Sequence, residues 1–393
     1  MGNRKSGGPA AKVVAIGIAA CLVASACGAA TVTGTPPTGP TSTAPNPTVR
    51  PSPAASPTAP DVAGCPVGAA WNNYAEERIA MWDEPAIKEP ILAAHGTYVF
   101  VDAKSSSDTQ RSQIDQFVAE GAKVIIVRVQ SDGVVSAPLA TQRAIERAAD
   151  GGVAVIAYQY FIDSPKVLWV NFDPVEIGRM EARAILAVRP KGNYAIIKGH
   201  PQGQLEPDLI ASGIHEILQP AIDRGDIKIV AETYTVNWDP YTAQTEMKTI
   251  LIQNHNRIDA VIAENDGMAG GVIAALKEVG LDGKVAVAGQ GGDWVGLNGV
   301  ASGTQTVDVW GELTLLGTAA GDVAVALCKN PDISKVKGTT PFTSPGNNRI
   351  PSFLLKPEAI TKDNLKVVID AGWMTKKYVC LRVDPSKAPP ACR

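Results

Sequence analysis

The sequence predicts an α/β fold built from two doubly wound, mainly parallel sheets. Three observations point there. Short apolar runs rich in β-branched residues recur along the chain, and they are continuous rather than alternating, as strands covered on both faces require. Amphipathic stretches separate these runs, giving the βαβ rhythm of layered α/β domains. Eight or more such runs spread over roughly 300 residues suit two sheets better than one.

The strand candidates are Thr97–Asp102 (TYVFVD), Val124–Val129 (VIIVRV), Val153–Tyr158 (VAVIAY) and Leu168–Phe172 (LWVNF), then Tyr194–Ile197, Ile227–Glu232, Ala260–Ala263 and Val285–Gly289. Helical patterns occupy Asp108–Glu120, Pro138–Ala149, Val175–Val188, Tyr241–Gln253 and Gly267–Val279. In open α/β sheets ligands bind beyond the carboxyl ends of the strands. The residues there are Lys104-Ser105-Ser106, Gln130-Ser131-Asp132, Gln159-Tyr160, Asp173, Trp238-Asp239, Glu264-Asn265-Asp266 and Gln290 through Asp293. So many donors and acceptors suit a polyhydroxylated ligand.

The N-terminus reads as an export signal over residues 1–26: basic Arg4, Lys5 and Lys12, then the small apolar run VVAIGIAACLVASA. Ala24-Ser25-Ala26-Cys27-Gly28 resembles a bacterial lipobox, which makes Cys27 the expected lipidation site; the alternative is an ordinary cleavable signal. Residues 29–63 are mostly Thr, Pro, Ser, Ala and Gly with two charges, Arg50 and Asp61, and are expected to form a disordered, partly polyproline-like tether. Four cysteines, Cys65, Cys328, Cys380 and Cys392, remain after Cys21 leaves with the signal and Cys27 takes lipid. Two disulfides in an oxidising compartment allow three pairings; a local Cys380–Cys392 bridge is the first expectation, leaving Cys65 with Cys328. No CxxC or His-Cys spacing supports a metal, and no cofactor is expected. A net charge of −3 with mixed signs gives no reason to expect nucleic acid.

The runs IDAVIAENDGMAGGVIAAL (258–276), GKVAVAGQGGD (283–293) and ASGTQTVDVW (301–310), with EGAKVIIV, the Lys191–Tyr194 run and IPSFLL (350–355), resemble the periplasmic sugar-binding proteins of ABC transporters, the xylose-binding branch above all. The resemblance covers roughly residues 70–376. It implies two lobes joined by a three-crossover hinge that closes over a sugar. The lobes are expected at 65–174 with 305–340, and at 175–304 with 341–380.

The resemblance also implies site residues. Asn265 and Asp266 fall on the family's Asn-Asp, and Trp238 falls on its stacking aromatic. Asp173, Gln159, Tyr160, Gln290, Asp293 and Trp310 occupy ligand-loop positions, and Asn73, Glu77 and Arg78 approximate the polar loop near the first strand. The family's Arg, one Asp and its Lys are absent, standing as Tyr160, Gly291 and Gly311, and its Asp-Asn-Asn-Ala loop is replaced by Gln204-Leu205-Glu206-Pro207. Bland readings stand beside these. Trp238 could be core, Asp173 and Asn265-Asp266 could be helix caps, Glu76-Glu77-Arg78 a solvated helix face, and Gly289–Gly292 a tight turn.

The expectation is a monomeric extracytoplasmic lipoprotein, held at the membrane by lipid, that delivers a monosaccharide or related polyol to an ABC permease and its ATPase. A sugar-sensing receptor for a membrane kinase or chemoreceptor is the alternative from the same fold. A cell-surface carbohydrate hydrolase, with Asp266 and Asp293 as a carboxylate pair, is the enzyme alternative. GxSxG is absent, and none of the four histidines sits in a nucleophile motif.

Overall fold

The β-branched runs form thirteen strands in two sheets of a computed structural model that describes residues 61–130, 138–200 and 205–393. The expected signal segment, Cys27, the tether through residue 60, Ser131-Asp132 and Gln204 lie outside the described residues. In chain order the strands are β1 Pro66–Trp71, β2 Thr97–Asp102, β3 Val124–Val127, β4 Ala154–Tyr158, β5 Val167–Phe172, β6 Gly192–Lys198 and β7 Ile227–Tyr234. They continue with β8 Ala260–Ala263, β9 Ala286–Gln290, β10 Val307–Trp310, β11 Thr340–Thr343, β12 Arg349–Leu355 and β13 Glu358–Ile360.

The first sheet has the order β11-β12-β5-β4-β3-β1-β2 and the second β13-β10-β9-β8-β6-β7. Pairing is parallel except at one edge of each, where β11 meets β12 and β13 meets β10 antiparallel. Strand residues alternate between two helix layers, as a pleated strand requires. In β3, Val124 and Ile126 join a core with the helices Glu84–Ala93 and Leu313–Lys329; Ile125 and Val127 face the helices Ser107–Ala119 and Leu139–Asp150. The second sheet repeats the arrangement. Ile196 and Ile262 pack toward Pro174–Val188 and Glu206–Asp223, while Ile197 and Val261 pack toward Pro240–Gln253 and Asp266–Glu278.

The chain passes between the sheets three times: after Phe172, after Trp310 and after Leu355. These crossings touch. The Asp173 amide donates to the Leu355 carbonyl at 2.8 Å, and a Cβ on Gly311 would stand 2.6 Å from the Phe172 ring, so the close approach requires glycine.

The lobe boundaries need one correction. Val307–Trp310, expected with lobe 1, is a strand of the second sheet, and residues 341–355, expected with lobe 2, belong to the first sheet, where β11 is the edge and β12 pairs with β5. The chain crosses at Gly311, between strand and helix, because the helix Leu313–Lys329 buries its apolar face against Glu84–Ala93. Disulfides join Cys65 to Cys328, beside β1 and at the end of that helix, and Cys380 to Cys392. The second staples a C-terminal segment that packs on the helix Trp294–Ser302 through Val368 and Val379; the Trp294 indole donates to the Tyr378 carbonyl at 2.9 Å. Among the described residues no helix is long and apolar enough to cross a membrane.

Candidate ligand-binding cleft

A cavity of ≈ 340 Å³ opens between the two lobes. Asn72, Asn73, Glu76, Gln159, Tyr160 and Asn171 line it from the first lobe; His200, Leu205, Glu206, Leu209, Asn237 and Trp238 line it from the second. Both sets sit where strands give way to loops. Four lining residues, Ser105 (φ 60), Gln159 (φ 63), Asn237 (φ 58) and Trp238 (φ 56), hold left-handed backbone. Such a conformation is unfavourable for residues with a Cβ and concentrates where loops must aim side chains.

Arg128 organises the first-lobe wall. It follows β3 and is buried, 3% exposed. Its guanidinium donates through Nε to Gln159 Oε1 at 2.9 Å, through Nη1 to Asn72 Oδ1 and to Glu76 Oε1 at 2.9 Å, and through Nη2 to the Tyr160 hydroxyl at 3.1 Å. The same group stands 4.5 Å from the Tyr160 ring centroid, within cation–π reach. The planar fork therefore fixes four cavity-lining side chains at once, which a lysine could not do. Gln159 is held from its other side, since its carbonyl accepts from the Trp169 indole at 2.9 Å.

Arg78 makes a second pair nearby. Its Nε and Nη2 reach the two oxygens of Asp83 at 2.8 and 2.9 Å, and the Tyr158 hydroxyl also donates to Asp83. Asp83 is fully buried, so this bidentate pair compensates its charge. Burial followed by the Asp83 charge raises the Tyr158 phenol well above its usual range, so Tyr158 stays a donor.

The second-lobe wall is different. The Trp238 indole packs against Gly199, where an added Cβ would come within 2.2 Å of the ring. Glu206, in the first turn of its helix, makes no hydrogen bond or ion pair to any described residue. Burial raises its carboxyl above the ordinary glutamate range, and the charges of Arg78 and Arg128 pull it partly back. Beneath this wall lie four fully buried acids, Glu181, Glu264, Asp266 and Asp308. Burial raises all of them, Asp266 to about 6 and the others well above the carboxylate range.

Residues 71–332 match the family model described as a periplasmic binding protein domain. The chain belongs to the periplasmic binding protein family. The D-xylose-binding periplasmic protein of Escherichia coli K12 is 34% identical over 281 residues, covering 71% of this chain and 82% of that one. The xylitol-binding protein of Mycolicibacterium smegmatis is 31% identical over 275 residues, 69% of this chain and 70% of that one. The fold is shared with an ABC transporter solute-binding protein from Clostridium phytofermentans bound to β-D-glucose, at TM-score 0.65 and 23% identity over 80% of this chain and 99% of that one. This periplasmic binding protein is accordingly a binding protein and not an enzyme.

Four of the site residues expected from sequence line the cavity of this periplasmic binding protein: Asn73, Gln159, Tyr160 and Trp238. Arg78 stands behind it in the Asp83 pair, and its charge reaches Glu206 and Asp293. Others serve the scaffold. Asp173 Oδ1 accepts from the Val175 and Glu176 amides at 3.0 and 3.1 Å, and Asn265 Oδ1 accepts from Met268 at 2.7 Å; both are helix caps. Gln290 donates to the Glu264 carbonyl at 2.8 Å. Two expected contacts are corrected. Asp266 is fully buried because its oxygens accept from the Asp293 amide and from Gln305, and Trp310 is 3% exposed because it packs against Trp373 and Gly292. Glu77 is solvent-exposed.

Sequence reasoning missed Arg128 and Asn171. Each is a polar residue one place before the end of an apolar run, VIIVRV and LWVNF. A lone polar group in such a run is itself a signal, because it needs a buried partner.

Proposed function

We propose that this protein captures a monosaccharide or related polyol for an ABC importer. The observation that carries the reading is the wall built on Arg128, where one buried guanidinium orders Asn72, Glu76, Gln159 and Tyr160 around a cavity faced by Trp238. Fixed polar groups on one side and an aromatic face on the other suit a ring carrying hydroxyls on its edge and C–H groups on its face. Ligand touching both lobes stabilises the closed arrangement that a permease with its ATPase would engage.

The xylose-binding relative supports a pentose-sized ligand and the xylitol-binding relative an open polyol. The substitutions at Tyr160, Gly291 and Gly311 favour a sugar or cyclic polyol other than D-xylose. Arg128 offsets part of that change by fixing Asn72, Glu76, Gln159 and Tyr160 from behind the cavity wall. Calorimetric titration with D-xylose, xylitol, D-glucose and myo-inositol tests both points. Binding of one of them with D-xylose weaker is expected; no binding across the panel overturns the sugar reading, and D-xylose binding tightest overturns the refinement.

We also propose that Cys27 carries the lipid that holds the protein outside the membrane. The lipobox-like Ala-Ser-Ala-Cys-Gly supports it. Cys27→Ala should release the protein from the membrane fraction; full retention would refute the anchor.

A further inference from the structure

Two buried carboxyl groups stand side by side beneath the loop Gly291–Asp293, and their hydrogen bonds differ. Asp266 uses both oxygens as acceptors: Oδ1 takes an N–H from Gln305 at 3.0 Å and Oδ2 takes the Asp293 amide at 2.9 Å. Asp308, on β10, uses one. Its Oδ1 takes the Gly292 amide at 3.0 Å, while Oδ2 is shielded from water and has no N–H partner among the described residues. The two side chains are within hydrogen-bond reach of each other.

Two adjacent carboxylates in a dry interior cannot both be ionised at tolerable cost. One O–H between them removes the repulsion and satisfies the orphaned oxygen. Donor arithmetic decides which acid carries it. A proton on Asp266 would face an incoming N–H on either oxygen, whereas a proton on Asp308 Oδ2 faces only Asp266. We propose that Asp308 carries the proton and donates it to Asp266, and that this pair is the positioning element that holds the Gly291–Asp293 loop, and with it Asp293, opposite Arg78. The directions agree: burial and the Asp266 charge hold Asp308 well above the carboxylate range, and burial raises Asp266 only to about 6, against the pull of its Gln305 bond. The neighbouring charges are acidic too. Glu181, from the helix Pro174–Val188, acts on Asp266, with neither of its own oxygens hydrogen-bonded; Glu264, at the end of β8, lies next to Glu181 and accepts from the Gly199 amide; Asp293 acts on both members of the pair and faces Arg78.

The pair makes opposite predictions for two isosteric changes. In D308N the amide donates to Asp266 and the carbonyl still accepts from Gly292, so the protonated state is reproduced without a proton. In D266N an N–H must confront an N–H donor. Tm is measured for wild type, D308N and D266N between pH 5 and 8. Wild type has to take up a proton on folding that D308N does not, so the advantage of D308N should widen with pH, by roughly 2–4 °C per unit while Asp308 stays protonated. Glu181 and Glu264 are common to both proteins and largely cancel in that difference. D266N should be less stable than wild type throughout. A gap independent of pH, a D308N protein less stable than wild type, or D266N tolerated as well as D308N overturns the assignment. The affinity of the tightest sugar of the panel is a second arm, resting on the proposed function: D308N should stay within about twofold of wild type and D266N should lose tenfold or more. If D266N is destabilised yet binds as wild type, the pair is structural and the loop-positioning role falls. The stability arm needs no ligand, so a failure to bind sugar is distinguishable from a failure of the pair.

Discussion

The two walls of the cleft handle charge in opposite ways. The first lobe presents ionised groups whose partners are already in place. Arg128 is bound to Glu76, Asn72, Gln159 and Tyr160, and Arg78 is locked to Asp83. The second lobe keeps Glu181, Glu264 and Asp308 buried and pushed toward the neutral form beneath the loops, and lines the cavity with one carboxylate, Glu206, that has no partner among the described residues. A preorganised wall binds without rearranging. A wall with an unmatched acceptor stores an incentive to meet a donor. The contrast assigns orientation of the ligand to the first lobe and response to its arrival to the second.

Breaking the preorganised wall should have the largest effect. Arg128→Leu leaves the Glu76 carboxylate, Asn72 and Gln159 facing a cavity without their shared donor. Removing one partner of a buried pair costs about 3–5 kcal/mol. The expected result is at least about a hundredfold weaker sugar binding in calorimetry and a clearly lowered Tm. Arg128→Lys sharpens the comparison, because it keeps the charge and loses the fork. If lysine restored wild-type affinity, charge alone would explain the wall and the four-way geometry would be incidental.

The aromatic side comes next. Trp238→Ala removes a ring held over Gly199 and facing the first lobe. Stacking is worth about 0.5–1.5 kcal/mol beyond area burial, so roughly tenfold weaker binding is expected, with Trp238→Phe recovering most of it. Equal affinity in all three proteins would remove Trp238 from the site.

How much of this was legible in the sequence follows from what each inference needs. Continuous β-branched runs such as VIIV and AVIAY announce doubly covered strands because burial on both faces leaves no polar alternate. The strands after the helix Leu313–Lys329 are harder: TPFT, RIPSFLL and EAI follow one another without helical punctuation, and local pattern does not tell which sheet accepts each. That is why the sequence pattern places 341–355 in the wrong lobe; 307–310 goes astray because the crossing at Gly311 comes after the strand and not before it. In the site, the rule of looking past strand ends found Gln159, Tyr160 and Trp238. The rule gives position and not direction, so it also collected Asp266 and Trp310, whose side chains turn into the lobe. Arg128 escaped it because its partners come from two segments far from it in the chain, Asn72 with Glu76 and Gln159 with Tyr160. A long-range polar cluster leaves no local spacing to read.

The smallest expected effect is the one that separates binding from stability most cleanly. Glu206 is half-buried, without a hydrogen-bond partner among the described residues, and within the field of two arginines that are already neutralised by Asp83 and Glu76. In the empty protein its charge is a burden; with ligand it is an acceptor for ring hydroxyls from the lobe opposite Arg128. Glu206→Gln keeps the shape and the acceptor oxygen and removes the charge. Charge-assisted hydrogen bonds exceed neutral ones by about 1 kcal/mol, so sugar affinity should fall roughly three- to tenfold while the Tm of the ligand-free protein stays level or rises. Because burial raises this carboxyl, its cost to the fold grows as pH rises through its range, and the Tm difference between Glu206→Gln and wild type should be greater at pH 8 than at pH 5. A variant that lost stability and affinity together would make Glu206 part of the scaffold, and the second lobe would then be as settled in advance as the first.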